Sequence, residues 1–143
     1  FKRKKLSPVR SIASLYPYAV GISADGENAK KVLGLLELNY GVSVCEYRSE
    51  TEYLQWDYPC VWAPLQYFVY LALKKCGLKT DAKRIAEKYV GCVDECFDKT
   101  GALWEKYDGL KGSVAVTNEY ATPEMMGWTA GVYEFLLEEL AKY

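Results

Sequence analysis

Apolar residues recur at helical spacing in four long stretches, and nowhere do they alternate strictly with polar ones. From Asp25 to Leu38, Val32, Leu35, Leu36 and Leu38 repeat near a 3.6 period, Asp25 is placed to cap the start, and Asn39-Tyr40-Gly41 ends the run. Val61 to Cys76 is apolar almost all round, which predicts a helix buried inside a layered structure and ended by Gly77. Thr80 to Phe97 is two-faced, with Thr80 as its cap and Ile85, Ala86, Tyr89, Val93 and Cys96 on the inner side. Thr129 to Ala141 repeats that pattern with Val132, Phe135, Leu136 and Leu140. A shorter apolar run, Ser11 to Val20, is expected to form a further helix broken at Pro17.

An all-round apolar helix joined to an amphipathic one by a tight turn at Gly77 reads as an inner–outer helical hairpin. The expected fold class is therefore all-α, built of antiparallel helical hairpins, in a single segment over residues 1–143. Repeated, such hairpins make either a solenoid or a closed α/α toroid, and the absence of a fixed-period repeat weighs against a regular solenoid. Two long connections, Tyr40 to Pro59 and Lys99 to Gly127, separate the helices, and they hold the densest clusters of Trp, Tyr and carboxylates.

The charges change the picture by subtraction. Eighteen Lys+Arg stand against 19 Asp+Glu, a net charge of −1, so nothing electrostatic favours nucleic acid or an anionic membrane as partner. The basic run Phe1-Lys-Arg-Lys-Lys5 has no apolar stretch behind it and does not read as a signal peptide. The absence of histidine removes Ser-His-Asp triads, Cys-His pairs and most zinc sites, and Cys45, Cys60, Cys76, Cys92 and Cys96 show no metal-ligand spacing. Five unpaired-looking thiols lead to the expectation of a reducing, cytoplasmic location. Aromatics are abundant, with 13 Tyr, 4 Trp and 4 Phe. Such a surplus suits a sugar-stacking surface or a large helical core.

Candidate chemistry lies in the two connections. In Gln55-Trp-Asp-Tyr-Pro59, followed by Trp62-Ala-Pro64, an indole, an amide and a carboxylate stand together at the entrance to a helix. Aromatic rings pack on sugar C–H faces while Gln55 and Asp57 hydrogen-bond hydroxyls; equally, Trp56 serves as core and Asp57 as a helix-entry cap. In the second connection, Glu105 and, 14 residues on, Glu119 lie near Trp104, Tyr107 and Tyr120. They suit a general base and a substrate clamp, or simply a solvated acidic loop. Gly127 and Gly131 flank Trp128, as they would where backbone closes on a ring.

These residues carry a resemblance. Gln55-Trp-Asp-Tyr-Pro59 with Trp62-Ala-Pro-Leu-Gln66 resembles the trehalase motif Q-W-D-x-P-x-x-W-A-P-L-Q. Glu105-Lys-Tyr-Asp108 is similar to the E-K-Y-D of the same enzymes, and Glu119-Tyr120 with Gly127-Trp-Thr129 and Gly131-Val132 is similar to their E-Y-x6-G-W-T-x-G-V tail. The resemblance implies part of an (α/α)6 toroid, inverting hydrolysis of α,α-trehalose to glucose, and no cofactor or metal. It gives Glu105 the position of the catalytic base and places Trp56 and Glu119 in the sugar pocket. Gln55, Asp57 and Trp128 join them as candidate substrate-binding residues.

The sequence departs from the family pattern at Cys60-Val61, Pro123 and Met125-Met126, and at Gly112 to Asn118, where a glycine-rich run is usual. Twelve helices would have about 12 residues each here, loops included, as much as one average helix alone. The chain, which begins with Phe, is thus expected to be the C-terminal third of a longer enzyme, partnered by the toroid's N-terminal part and a small carbohydrate. The family's catalytic acid, an upstream aspartate, has no counterpart in it, so the segment alone is expected to be inactive. Two alternatives fit the same motifs: a sister α/α-toroid glucosidase acting on another α-glucoside, and a non-catalytic helical sugar-binding or scaffold module.

Overall fold

A computed structural model describes residues 8–48, 54–115, 119–124 and 127–143. The basic run Phe1–Lys5, together with Asn118, Met125 and Met126, lies outside the described residues. A 3₁₀ turn over Ile12–Leu15 leads into α1 (Tyr16–Ala19). Pro17 sits in the first turn of α1, where its missing N–H is not needed, so it begins the helix instead of breaking the run. Helix α2 (Gly26–Leu36) is capped as its sequence predicts, Asp25 accepting the Asn28 N–H at 3.0 Å.

The long central helix α3 (Ala63–Lys75) starts two residues later than its apolar pattern suggests. Its inner face buries Leu65, Val69, Tyr70, Ala72 and Leu73, while Phe68 and Leu71 are partly covered. Three residues, Cys76 to Leu78, then turn the chain into α4 (Lys79–Thr100). The Leu78 N–H bonds the Leu73 carbonyl, and Leu78 already accepts from Ala82. Helix α4 is therefore under way before the Thr80 side chain can cap it, and the N-cap position falls to Leu78. At the far end Gly101 takes the left-handed conformation, φ +74°, and closes the helix with a bond to Phe97. Helix α5 (Gly127–Leu140) packs on both α3 and α4, and α1 covers another side of α3, so α3 is the inner helix.

A purely all-α class does not hold, because two small antiparallel sheets join the helices. A hairpin of β1 (Glu37–Leu38) and β2 (Gly41–Val42) follows α2. A three-stranded sheet orders β3 (Cys60–Trp62), β4 (Lys106–Asp108) and β5 (Ser113–Val114), with Trp62 opposite Lys106 and Val61 opposite Tyr107. Strands of two or three residues are too short to display alternation, and all of β3 is buried, so no polar face marks it in the sequence. This sheet ties the two long connections together.

One buried amide fastens the β1–β2 hairpin to α3. Gln66, on α3, accepts the Val42 N–H at 2.9 Å and donates to the Val42 carbonyl at 2.8 Å. Val42 is fully buried, and its two backbone groups point away from β1. The side chain supplies what a third strand would. Opposite, Glu37 accepts both Arg84 donors at 2.9 and 3.0 Å and Lys88 at 2.6 Å, fastening the end of α2 to α4.

Candidate active site

Strand β4 is the centre of the site. Tyr107 points toward α4, edge-on to Tyr89, and its hydroxyl accepts the Trp104 N–H at 3.0 Å. Its neighbour Lys106 points the other way and is wholly buried at 0% exposure. The Lys106 ammonium lies 3.1 Å from Glu105 Oε2, 3.9 Å from the Tyr120 ring centre and 5.4 Å from that of Trp62. A buried ammonium requires a countercharge, and Glu105 provides it.

Glu105 precedes β4 and is 8% exposed; its N–H is held by the Pro123 carbonyl at 3.1 Å. Its Oε2 accepts from both Lys106 and the Tyr120 hydroxyl, whereas Oε1 has no hydrogen bond among the described residues. Burial first, and then the Glu105 carboxylate, pushes the Tyr120 phenol well above its ordinary value, so it stays protonated. The same hydroxyl lies 2.6 Å from Gln55 Oε1. The Gln55 N–H donates to Glu119 Oε2, and the Gln55 carbonyl accepts Trp62 Nε1 at 2.8 Å. Glu105 and Glu119 are thus linked through Gln55, Glu119 at its backbone N–H and Glu105 by way of the Tyr120 hydroxyl at its side chain.

Three indoles border this hydrogen-bonded cluster. Trp62, buried, stacks on Trp56 at 3.9 Å with planes 6° apart and meets Trp128 edge-on at 5.9 Å. Trp56 remains 51% exposed, so one face covers Trp62 and the rest is open to solvent. A flat aromatic face beside carboxylates is the surface a pyranose ring packs against.

Not every candidate residue joins. Asp57 is buried facing the 45–48 segment, where its Oδ1 accepts from the Cys45 thiol and the Tyr58 N–H and its Oδ2 from Arg48 at 3.0 Å. With both oxygens engaged, it clamps the chain that leads into the cis Tyr58–Pro59 bond and is neither helix cap nor part of the carboxylate cluster. Gln66, the last residue of the longest motif, is the structural pin described above. Asp108 likewise accepts from the Leu110 and Lys111 N–H groups to shape the β4–β5 turn. Open space surrounds Gly127 and Gly131, so neither glycine is needed for backbone to close on the Trp128 ring.

Sequence reasoning passed over Lys106, Tyr120 and Trp62 as site residues. Each stands inside a quoted motif, and the lone cation between Glu105 and Tyr107 is the local signal for a buried ion pair. Thiol chemistry has little place here: burial above all raises Cys45 and Cys60 to about 11. Among the described residues no group of His, Cys, Asp and Glu is arranged to hold a metal ion. The arrangement offers a carboxylate with Oε2 held and Oε1 without a hydrogen bond among the described residues. Such a group can take a proton from water.

Comparison with known proteins decides the family. The sequence pattern of the trehalase family matches residues 2–141. The chain belongs to the trehalase family. A trehalase of Apis mellifera is 34% identical over 138 residues, covering 89% of this chain and 21% of that protein. The human trehalase is 32% identical, over 88% of this chain and 23% of its own length. Among solved structures, neutral trehalase from Saccharomyces cerevisiae superposes with a TM-score of 0.78 at 28% identity, over 96% of this chain and 25% of that one. The segment spans between a fifth and a quarter of these trehalases.

Proposed function

We propose that this chain carries the base side of an inverting glycoside hydrolase that cleaves α,α-trehalose to glucose. Within it, Glu105 is the general base, and Glu119, Gln55, Trp56 and Trp128 hold the sugar. The carrying observation is the state of Glu105: Oε2 is held by Lys106 and Tyr120, and Oε1 is unpaired among the described residues. Water bound at Oε1 gives up a proton as it attacks the anomeric carbon, and the attacked glucose leaves with its configuration inverted. The leaving oxygen needs a second carboxyl, roughly 6.5–9.5 Å from the first in inverting enzymes. We assign that acid to a part of the toroid beyond this segment, as the share of each relative that the chain covers supports. The helical hairpin α3–α4, with α3 inside, is the unit from which an (α/α)6 toroid is built. The five free thiols favour a reducing, cytoplasmic location. No helix among the described residues is long and apolar enough to cross a membrane.

The test is Glu105→Gln in the full-length protein that carries this chain. The amide keeps the shape but cannot accept the proton, so kcat for trehalose should fall about 10²–10⁴-fold with KM little changed. Full activity in that variant refutes the assignment and moves it to Glu119.

A further inference from the structure

We propose that Tyr120 and Lys106 are positioning residues for Glu105: together they pin its Oε2 and so choose Oε1 as the oxygen that takes the proton. The inference rests on the reading of Glu105 as the base. A carboxylate turns easily about its last side-chain torsion, which is soft and roughly two-fold. A buried base with neither oxygen held would sample orientations in which no lone pair meets the attacking water, and small misplacements of that kind lower rates steeply.

Two donors on one oxygen remove that freedom. Lys106 reaches Oε2 at 3.1 Å from a side chain that is itself immobilised, buried on β4 with its ammonium against the Tyr120 and Trp62 rings. Glu105 Oε2 is the sole carboxylate oxygen bonded to that ammonium among the described residues. Tyr120 supplies the second donor. Its one proton has two acceptors in reach, Glu105 Oε2 and Gln55 Oε1. The charged acceptor takes it. Gln55 Oε1 lies 2.6 Å from the same hydroxyl, so a chain of polar contacts runs from Gln55 through Tyr120 to Glu105. Because the Gln55 backbone also holds Glu119 and the Trp62 indole, this chain ties the orientation of the base to the groups that border the sugar surface.

The experiment compares Tyr120→Phe, Glu105→Gln and their double variant in the full-length protein, with trehalose as substrate. Tyr120→Phe deletes one hydroxyl from a half-buried residue, a change the fold should tolerate. It should lower kcat about tenfold while KM stays within about twofold, the signature of a contact that matters in the transition state. Since the phenol acts through the carboxylate, the double variant should be no slower than Glu105→Gln alone, within about twofold. Lys106→Met should also lower kcat, and Tyr120→Phe decides the matter if that variant does not fold. The positioning role is overturned if Tyr120→Phe turns over at the parent rate, if its KM rises as much as kcat falls, or if the two losses multiply in the double variant. An active Glu105→Gln protein is a different failure, removing the base assignment and the positioning role with it.

Discussion

Gln66→Leu is the sharpest test of how this fold holds its site. The substitution keeps the size of the side chain on α3 and deletes both bonds to Val42, at 2.9 and 2.8 Å. Val42 is fully buried and its N–H and carbonyl face away from β1, so no strand replaces the amide. Two backbone groups are left unpaired, at about 1–3 kcal/mol each, or roughly 2–6 kcal/mol together. The gain from burying a leucine in place of an amide recovers a part of this, which puts the expected loss near the lower half of the range. The loss is local, because the amide joins β2 to α3, so hydrogen exchange of the peptide covering residues 37–45 is the assay. At 1.4 kcal/mol per factor of ten, its protection should fall between about 30-fold and about 10³-fold. Gln66→Glu should be at least as damaging, because a carboxylate accepts from the Val42 N–H but opposes the Val42 carbonyl. Unchanged protection in Gln66→Leu would refute the reasoning, and with it the claim that this motif residue is structural.

Gly109→Ala should cost about 1–3 kcal/mol in thermal unfolding. A Cβ there would lie 2.6 Å from Val61 and 2.7 Å from Leu38, whereas Gly34→Ala, in open space on α2, should be neutral or stabilising. Glu139 on α5 accepts from Lys142, Tyr70 and Lys74, and these bonds, Lys142 first, hold its carboxyl down to about 2 against the opposing effect of burial. The stabilisation that these bonds give, part of it across the α5–α3 contact, is therefore complete above the ordinary value of 4.5 and is lost as pH falls from there toward 2. Exchange protection of residues 127–140 should fall across that window in the parent and stay flatter in Glu139→Gln; identical profiles would remove the claim. Trp56→Ala should weaken sugar binding about tenfold, read from KM or from quenching of indole fluorescence.

Much of the helical layer is legible in the sequence because helical burial repeats every three to four residues and Asp25 announces its cap locally. The inner place of α3 follows from its all-round apolar character. The quoted motifs likewise mark the stretches that form the site. What they leave open is which motif residues do chemistry, since Glu105, Asp57, Gln66 and Asp108 are all polar side chains in motif positions. Tertiary structure separates them by what their oxygens meet. Asp57 spends both on Cys45, Tyr58 and Arg48, and Gln66 completes a backbone ladder, while Glu105 keeps one oxygen unpaired among the described residues. The short strands escape the sequence for a related reason: β3 is buried throughout, and each strand is held by partners more than 40 residues away or by a turn of a few residues. Propensity and periodicity are properties of neighbours along the chain. The meeting of Gln55 with Tyr120, 65 residues apart, depends on loop closure across the folded sheet, and that contact joins the two connections at the candidate site.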